Sequence, residues 1–281
     1  MRIDAHFHSW QLARGDYGWL TPALSPIYRD VNVPDWQAQA LAAGVTGGIL
    51  VQAAPTEAET AHLLALAEQH PSVVGVVGWV DWAAPDAAQR IQVLARHPKL
   101  KGLRPMLQDI PDPDWMLQPV LQPLLALMAE LGLVFDALVK PVHLPHLLSL
   151  AQRHPSLRIV IDHVAKPDIA AGTWQPWADD LQRLAEQTNA VCKLSGMLTE
   201  AGADPVPQVC RPWAEHVLAC FGPSRVLWGS DWPVLELAGS YAGWWQACQQ
   251  FTEHLTKAER AAVFGGNALR VYRLGVFPSL S

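Results

Sequence analysis

Arg2-Ile3-Asp4-Ala5-His6-Phe7-His8 opens the chain, and the reading of this stretch decides the fold. It is a short, mostly apolar run that ends on two histidines. In an extended strand, residues two apart point to the same face, so His6 and His8 project together. Seven more such runs follow, at residues 45–54, 73–82, 100–107, 133–139, 157–164, 190–195 and 225–230. Most are nearly continuous hydrophobic stretches, the pattern of parallel strands buried on both faces. Helical patterns alternate with them at residues 34–43, 57–70, 85–97, 119–131, 144–154, 175–187, 206–221 and 241–254. Eight strands, each followed by a helix, predict an α/β protein with a single closed (β/α)8 barrel. Residues 256–273 predict a C-terminal helical extension that closes it. An open doubly wound sheet is the rival, but no Gly-rich phosphate turn follows the first strand.

A weak internal repeat agrees. Gln69-His70-Pro71-Ser72, Arg96-His97-Pro98-Lys99 and Arg153-His154-Pro155-Ser156 each join a helix to the next strand. Histidine suits the negative end of a helix, and proline cannot continue one. These three histidines are expected at the bottom of the barrel, away from chemistry. Residues 15–34 and 109–115 form loops that follow strands, so they overhang the mouth, where barrel enzymes keep their active sites.

Composition bounds the function. The 281 residues are 50% hydrophobic with a formal net charge of -6, which suits one large domain over residues 1–281 and no nucleic-acid partner. No apolar run approaches the roughly 20 residues that span a bilayer. The four cysteines, Cys192, Cys210, Cys220 and Cys248, lack disulfide or metal-knuckle spacing and are expected as free thiols of a cytoplasmic protein. Thirteen tryptophans exceed what a core needs, and some can wall a pocket for a small ring. Trp19, Trp82 and Trp232, in or beside strand-end loops, are the candidates.

The polar residues that end strands carry the chemistry. His6 and His8 end the first strand, and His163 ends the sixth in Ile161-Asp162-His163. Asp231 ends the eighth, in Trp228-Gly229-Ser230-Asp231-Trp232, where an acid must be paired or at work. Three imidazoles and a carboxylate can ligate one divalent cation or jointly polarise one oxygen. Arg104, within Gly102-Leu103-Arg104-Pro105, needs an anionic or carbonyl partner. Lys193 and Glu200 are softer candidates for substrate contacts; Asp136 and Lys166 are similar. No GxSxG elbow, P-loop or HExxH motif competes.

These motifs resemble the amidohydrolase superfamily, specifically the amidohydrolase-2 group and its branch of sugar-acid lactonases, with pyrone-dicarboxylate lactonases as more distant relatives. The resemblance spans nearly the whole chain and is densest in Lys193-Leu194-Ser195-Gly196-Met197-Leu198-Thr199-Glu200 and Gly229-Ser230-Asp231-Trp232-Pro233-Val234. It implies that His6, His8, His163 and Asp231 form the core site, with Arg104 beside them. It implies at most one zinc-like cation, not strictly required, since Arg104 stands where a bridging acid or lysine of a two-metal site would be. Ala165 replaces a glycine common in the group, so a small local change is expected there.

The expected reaction is lactone hydrolysis, with Asp231 activating water and the histidines and Arg104 polarising the carbonyl. The expected substrate is a neutral L-fucono-, L-rhamnono- or galactono-type lactone. A zinc-dependent decarboxylase of a small aromatic acid, a pyrone or muconolactone hydrolase, and a barrel that only binds a ligand are the alternatives. Oligomeric state is not legible.

Overall fold

A computed structural model describes residues 1–275; residues 276–281, part of the expected single domain, lie outside the described residues. Eight parallel strands stand in sequence order: β1 (Ile3–Phe7), β2 (Gly47–Val51), β3 (Val73–Gly78), β4 (Leu100–Leu103), β5 (Val134–Ala137), β6 (Arg158–Ile161), β7 (Val191–Leu194) and β8 (Val226–Trp228). The ring closes between β1 and the residues after β8, through a Phe7–Trp232 bridge and the bonds His8 N–H to Trp232 O and Asp231 N–H to His6 O, both 2.8 Å. Around it pack α1 (Val33–Ala42), α2 (Glu57–Gln69), α3 (Ala87–Leu94), α4 (Gln122–Leu131), α5 (Leu144–Arg153), α6 (Trp177–Gln187), α7 (Arg211–Phe221) and α8 (Tyr241–Phe251). The predicted (β/α)8 barrel is the observed fold.

Strands are shorter than their apolar runs, each for a local reason. At β4 the ladder extends to Arg104, whose N–H bonds Gly78 O at 2.9 Å, and stops because Pro105 has no N–H to carry it on. At β6 the chain leaves the sheet at Asp162 and makes a left-handed turn, with positive φ at His163, Val164, Ala165 and Lys166. Ala165 stands in this turn at φ 62°, a conformation that glycine adopts freely and alanine at a cost.

Two hydrophobic layers result. Ile3, Ala5, Ile49, Val51, Val77, Val134, Val160, Val191 and Leu227 fill the lumen, while Phe7, Leu50, Leu103 and Leu194 face the helices. The tail forms α9 (Lys257–Ala261), a wide turn (Ala262–Gly266) and α10 (Asn267–Val271). Ala268, Val271 and Tyr272 join the lumen cluster, and Arg158 at the start of β6 donates to Val271 O at 2.7 Å. The helical extension that the sequence suggested thus closes the domain, and it does so by plugging the bottom of the barrel.

Asp4 stitches the closing seam. It is fully buried and accepts from Ser230 N–H (2.8 Å), Ser230 O–H (2.6 Å), Trp36 Nε1 (2.9 Å), Tyr241 O–H (3.1 Å) and His6 N–H (3.2 Å). One carboxylate therefore ties β1 to the β8 exit, α1 and α8. Asp4→Ala strands several buried donors at once. Urea unfolding of this variant is expected to show a loss of about 3 kcal/mol or more, against about 0.5 kcal/mol or less for Val142→Ser on the surface.

Candidate active site

A bulge in β1 aims the two histidines. Asp4 pairs with Gly48 and Phe7 with Leu50, so three steps along β1 match two along β2. Ala5 lies in the lumen cluster, yet Phe7 faces outward and stacks on Trp36 at 3.9 Å between ring centroids. The extra residue turns both His6 and His8 toward the mouth. His8 Nδ1 lies 2.8 Å from Val51 O, and since a carbonyl only accepts, Nδ1 carries the proton and Nε2 offers a lone pair. That Nε2 is 3.2 Å from His6 Nε2 and 3.3 Å from Asp231 Oδ1. His163 shares a hydrogen bond between Nδ1 and Ser195 Oγ (2.9 Å), and its Nε2 lies 3.8 Å from Asp231 Oδ1. His6 Nε2 is 3.7 Å from the same oxygen.

Electrostatics keep this cluster in its ligand-ready form. Burial, reinforced by Lys193, holds the His6 pKa well below the ordinary imidazole value, and burial brings that of His163 down to about 4. Burial alone would raise the Asp231 pKa, but the neighbouring His163, His8 and His6 outweigh it and depress it. Neutral His6 and His163 imidazoles beside an ionised carboxylate follow.

Beneath the cluster lies a buried ionic layer. Lys193 Nζ pairs with Asp136 Oδ1, lies 2.9 Å from Asp162 Oδ1 and approaches His6 Nδ1 at 3.3 Å. Asp162 also accepts from Arg104 Nη1 at 3.2 Å and stands 3.5 Å from His6 Nδ1. Burial raises the Asp136 pKa to about 6, with Lys193 opposing. Asp162 goes the other way: burial would raise it, but Lys193 and His6 hold it well below the usual carboxylate range. Lys193 itself is raised, because the two carboxylates overcome its burial.

Above the cluster opens a cavity of about 270 Å³, lined by His8, His163, Asp231, Arg104, Trp19 and Lys166 together with Ala53, Met106, Gln108, Asp109, Leu138 and Val234. Larger clefts on the outer surface, such as one of about 500 Å³ beside Arg211, Glu215 and His254, hold no convergent set of this kind. The structure brings His6, His8, His163, Asp231 and Arg104 together. Trp19 sits on the rim, 38% exposed, with its indole N–H on Ala53 O at 2.7 Å. Trp82 and Trp232 do not line the cavity: Trp82 packs edge-on against Trp115 and Phe135, and Trp232 is buried with its N–H on Glu236 Oε1 at 2.7 Å. Lys193 is sealed in the lumen and supports His6 from below. Glu200 stands behind the lining, its Oε1 2.6 Å from Lys166 Nζ. Sequence reasoning missed Met106, Gln108, Leu138 and Val234, whose only signal is that they follow strand ends. It missed Asp4 and Asp162 as supports because both read as polar neighbours of a histidine.

The donor set fits one divalent cation of zinc type. His6, His163 and Asp231 each place a ligand atom within 4.8 Å of the others, and His8 Nε2 joins them. A tetrahedral ion with bonds of about 2.1 Å spaces its donors about 3.4 Å apart, and the His8 and His163 Nδ1 atoms are committed to supporting partners, as ligand imidazoles require. The Arg104 guanidinium, 3.5 Å from His6 Nε2, sets a fixed positive charge beside this donor set.

A family model described as amidohydrolase matches residues 3–274. The chain belongs to the amidohydrolase family. It is 47% identical over 277 residues to an L-fucono-1,5-lactonase of Burkholderia ambifaria, covering 97% of this chain and 96% of that one. It is 35% identical to an L-fucono-1,5-lactonase of Burkholderia multivorans, covering 98% and 96%. A crystal structure of an amidohydrolase from Burkholderia multivorans with bound zinc superimposes with a TM-score of 0.93 at 34% identity, over 98% of this chain and all of that one. This amidohydrolase therefore has the fold of a relative whose structure holds zinc.

Two outcomes follow from the site. Calorimetric titration of the metal-stripped amidohydrolase with Zn²⁺ is expected to reach one equivalent, and His163→Ala to weaken binding at least tenfold. Lys193→Met leaves Asp136 buried without its cation and Asp162 with Arg104 alone, and is expected to cost about 3–5 kcal/mol in urea unfolding. In that variant Asp136 loses the ammonium that opposes its burial, so its folded pKa stays above its unfolded one and the deficit grows as pH rises from 5 to 8.

Proposed function

We propose that this amidohydrolase hydrolyses a sugar-acid lactone of the L-fucono-1,5-lactone type. The observation that carries the reading is Asp231, ionised and ringed by three imidazoles, at the floor of a cavity whose size suits one small ring. The lactonase names of two relatives across the full chain support it. The cavity also argues for a neutral substrate. Its basic residues are Arg104 and Lys166, and each is already matched, by Asp162 and Glu200. Among the described residues no unpaired Lys or Arg side chain lines the cavity to meet a dicarboxylate, which disfavours a pyrone-dicarboxylate substrate. Structures of decarboxylases superimpose at 17% and 14% identity, which speaks to the fold alone.

A divalent cation in the His6, His8, His163 and Asp231 set would act as a Lewis acid and lower the pKa of water. The residues do the rest. Asp231 accepts a proton from the water that attacks the lactone carbonyl carbon. Arg104, on the cavity wall, stabilises the negative charge that develops on the carbonyl oxygen. Collapse of the tetrahedral species breaks the ring C–O bond, and the leaving oxygen takes the proton held by Asp231. Water adds across the ester, and the product is the open hydroxy acid. Trp19 offers its indole face to the C–H face of the ring.

The chain is read as one barrel domain. No helix among the described residues is long and apolar enough to cross a membrane. All four cysteines are free thiols, which supports the cytoplasm as its compartment. A pH-indicator assay on L-fucono-1,5-lactone is expected to show turnover, with Asp231→Asn losing about hundredfold or more in kcat. Trp19→Ala is expected to raise KM more than it lowers kcat. An Asp231→Asn variant with unchanged turnover would refute the assignment of the base.

A further inference from the structure

Three consecutive carbonyls at the exit of β2 each hold a different side chain of the site. Val51 O takes the His8 Nδ1 proton at 2.8 Å, Gln52 O takes Arg104 Nη2, and Ala53 O takes the Trp19 indole N–H at 2.7 Å. Gln52 returns the bond, its Nε2 donating to Arg104 O at 2.8 Å. The segment thus sets the tautomer of one imidazole, the guanidinium and the rim aromatic together.

The segment is itself clamped by Glu59. This residue is fully buried in the first turn of α2, where Thr56 caps its N–H at 3.0 Å. Its carboxylate does not turn back to cap its own helix. It reaches the preceding loop and accepts from Ala53 N–H at 3.0 and 3.1 Å and from Ala54 N–H at 2.7 Å. Those amides have no strand partner once the chain leaves the sheet, and the carboxylate satisfies both.

We infer that Glu59 is a positioning residue of the active site, which acts through the carbonyls of Val51, Gln52 and Ala53 to orient His8, Arg104 and Trp19. The inference rests on the lactonase reading only for its kinetic arm. A glutamine in its place would bring its NH2 group against two N–H donors, and the clamp would loosen.

The clamp needs the carboxylate ionised, and burial pushes the Glu59 pKa up to about 7. The groups that face it are the Tyr17 phenol from the loop after β1 and the Arg104 guanidinium from β4. Arg14 and Asp16 stand beside Tyr17 and pair with each other at 2.6 Å. His62, near the same pair and lowered by burial, is the other group on α2 that titrates in this neighbourhood. As pH falls through neutrality Glu59 takes a proton, one acceptor oxygen becomes a donor, and the exit segment loses its hold. Activity is therefore expected to fall on the acid side.

The test uses the full chain. The indole N–H resonance of Trp19, assigned by its loss in Trp19→Phe, is followed by NMR across the neutral range without substrate. In the native protein it is expected to move with a midpoint near pH 7, and kcat/KM on L-fucono-1,5-lactone to decline with the same midpoint. Glu59→Gln is expected to abolish both transitions and to lower kcat/KM by about tenfold to hundredfold. Thr56→Ala, which weakens the cap of α2 but not the clamp, is expected to lower Tm while keeping the pH profile. A Trp19 resonance that does not titrate in the native protein overturns the inference. So does a Glu59→Gln variant with native kcat/KM, or one whose Trp19 titration persists, which would assign it to His62. Should Glu59→Gln fail to fold, the native resonance decides. Should no lactone turn over, the resonance still decides, and the lactonase reading alone falls.

Discussion

The structure depends on a lysine ammonium held in a dry barrel. Lys193 has no solvent exposure, and its charge is tolerable only because Asp136 and Asp162 stand against it. Much else hangs on those two acids. Tyr272 donates to Asp136 at 2.7 Å, which anchors the plug at the bottom of the barrel. Asp162 receives Arg104 and stands beside His6, which connects the layer to the mouth. Removing a partner from such a set leaves a charge that the lumen cannot solvate. The lumen therefore trades hydrophobic filling for a fixed field below the site.

That field reaches the chemistry through His6, kept neutral by burial and the nearby ammonium. The remaining geometry is stored as backbone strain. His163 and Asp231 both adopt left-handed conformations, φ 53° and 58°, which side-chain-bearing residues avoid at a cost of about 1–2 kcal/mol each. Packing holds them. Gly196, itself at φ 59°, lies so close to the His163 ring that a Cβ there would stand 2.4 Å from Nδ1. Ser195, next to it, supplies the hydroxyl that faces the same nitrogen. Strain of this kind persists where the surroundings over-determine it, and it gathers where function needs a fixed side chain.

The result is a site with two kinds of charge. Asp231 faces the cavity as the ionised acceptor, while Arg104 and Lys166 are each balanced by an acid outside it. An uncharged ring with several hydroxyls suits such walls better than a multiply charged one. The supporting residues decide this as much as the lining does, because Asp162 and Glu200 determine how much positive charge a substrate meets.

How much of this was legible follows from the physics of each signal. Burial on both faces makes parallel strands read as apolar runs, so eight runs and eight helical patterns determined the barrel and its order. A polar residue that ends an apolar run is costly, so His6, His8, His163, Asp231 and Arg104 stood out one by one. What the pattern could not carry was depth and direction. Lys193, Trp82 and Trp232 share strand ends with the cavity, yet only packing decided that the first is sealed in the lumen and the other two lie behind the wall. The β1 bulge and the left-handed turn at His163 leave no mark in hydrophobic periodicity, because neither alters which residues are apolar. The clamp of Glu59 joins a helix start to a strand exit through backbone N–H groups, which every residue but proline possesses. Sequence alone determined which chemistry the mouth could hold; tertiary structure decided which groups face it, because facing is a matter of register and turn conformation.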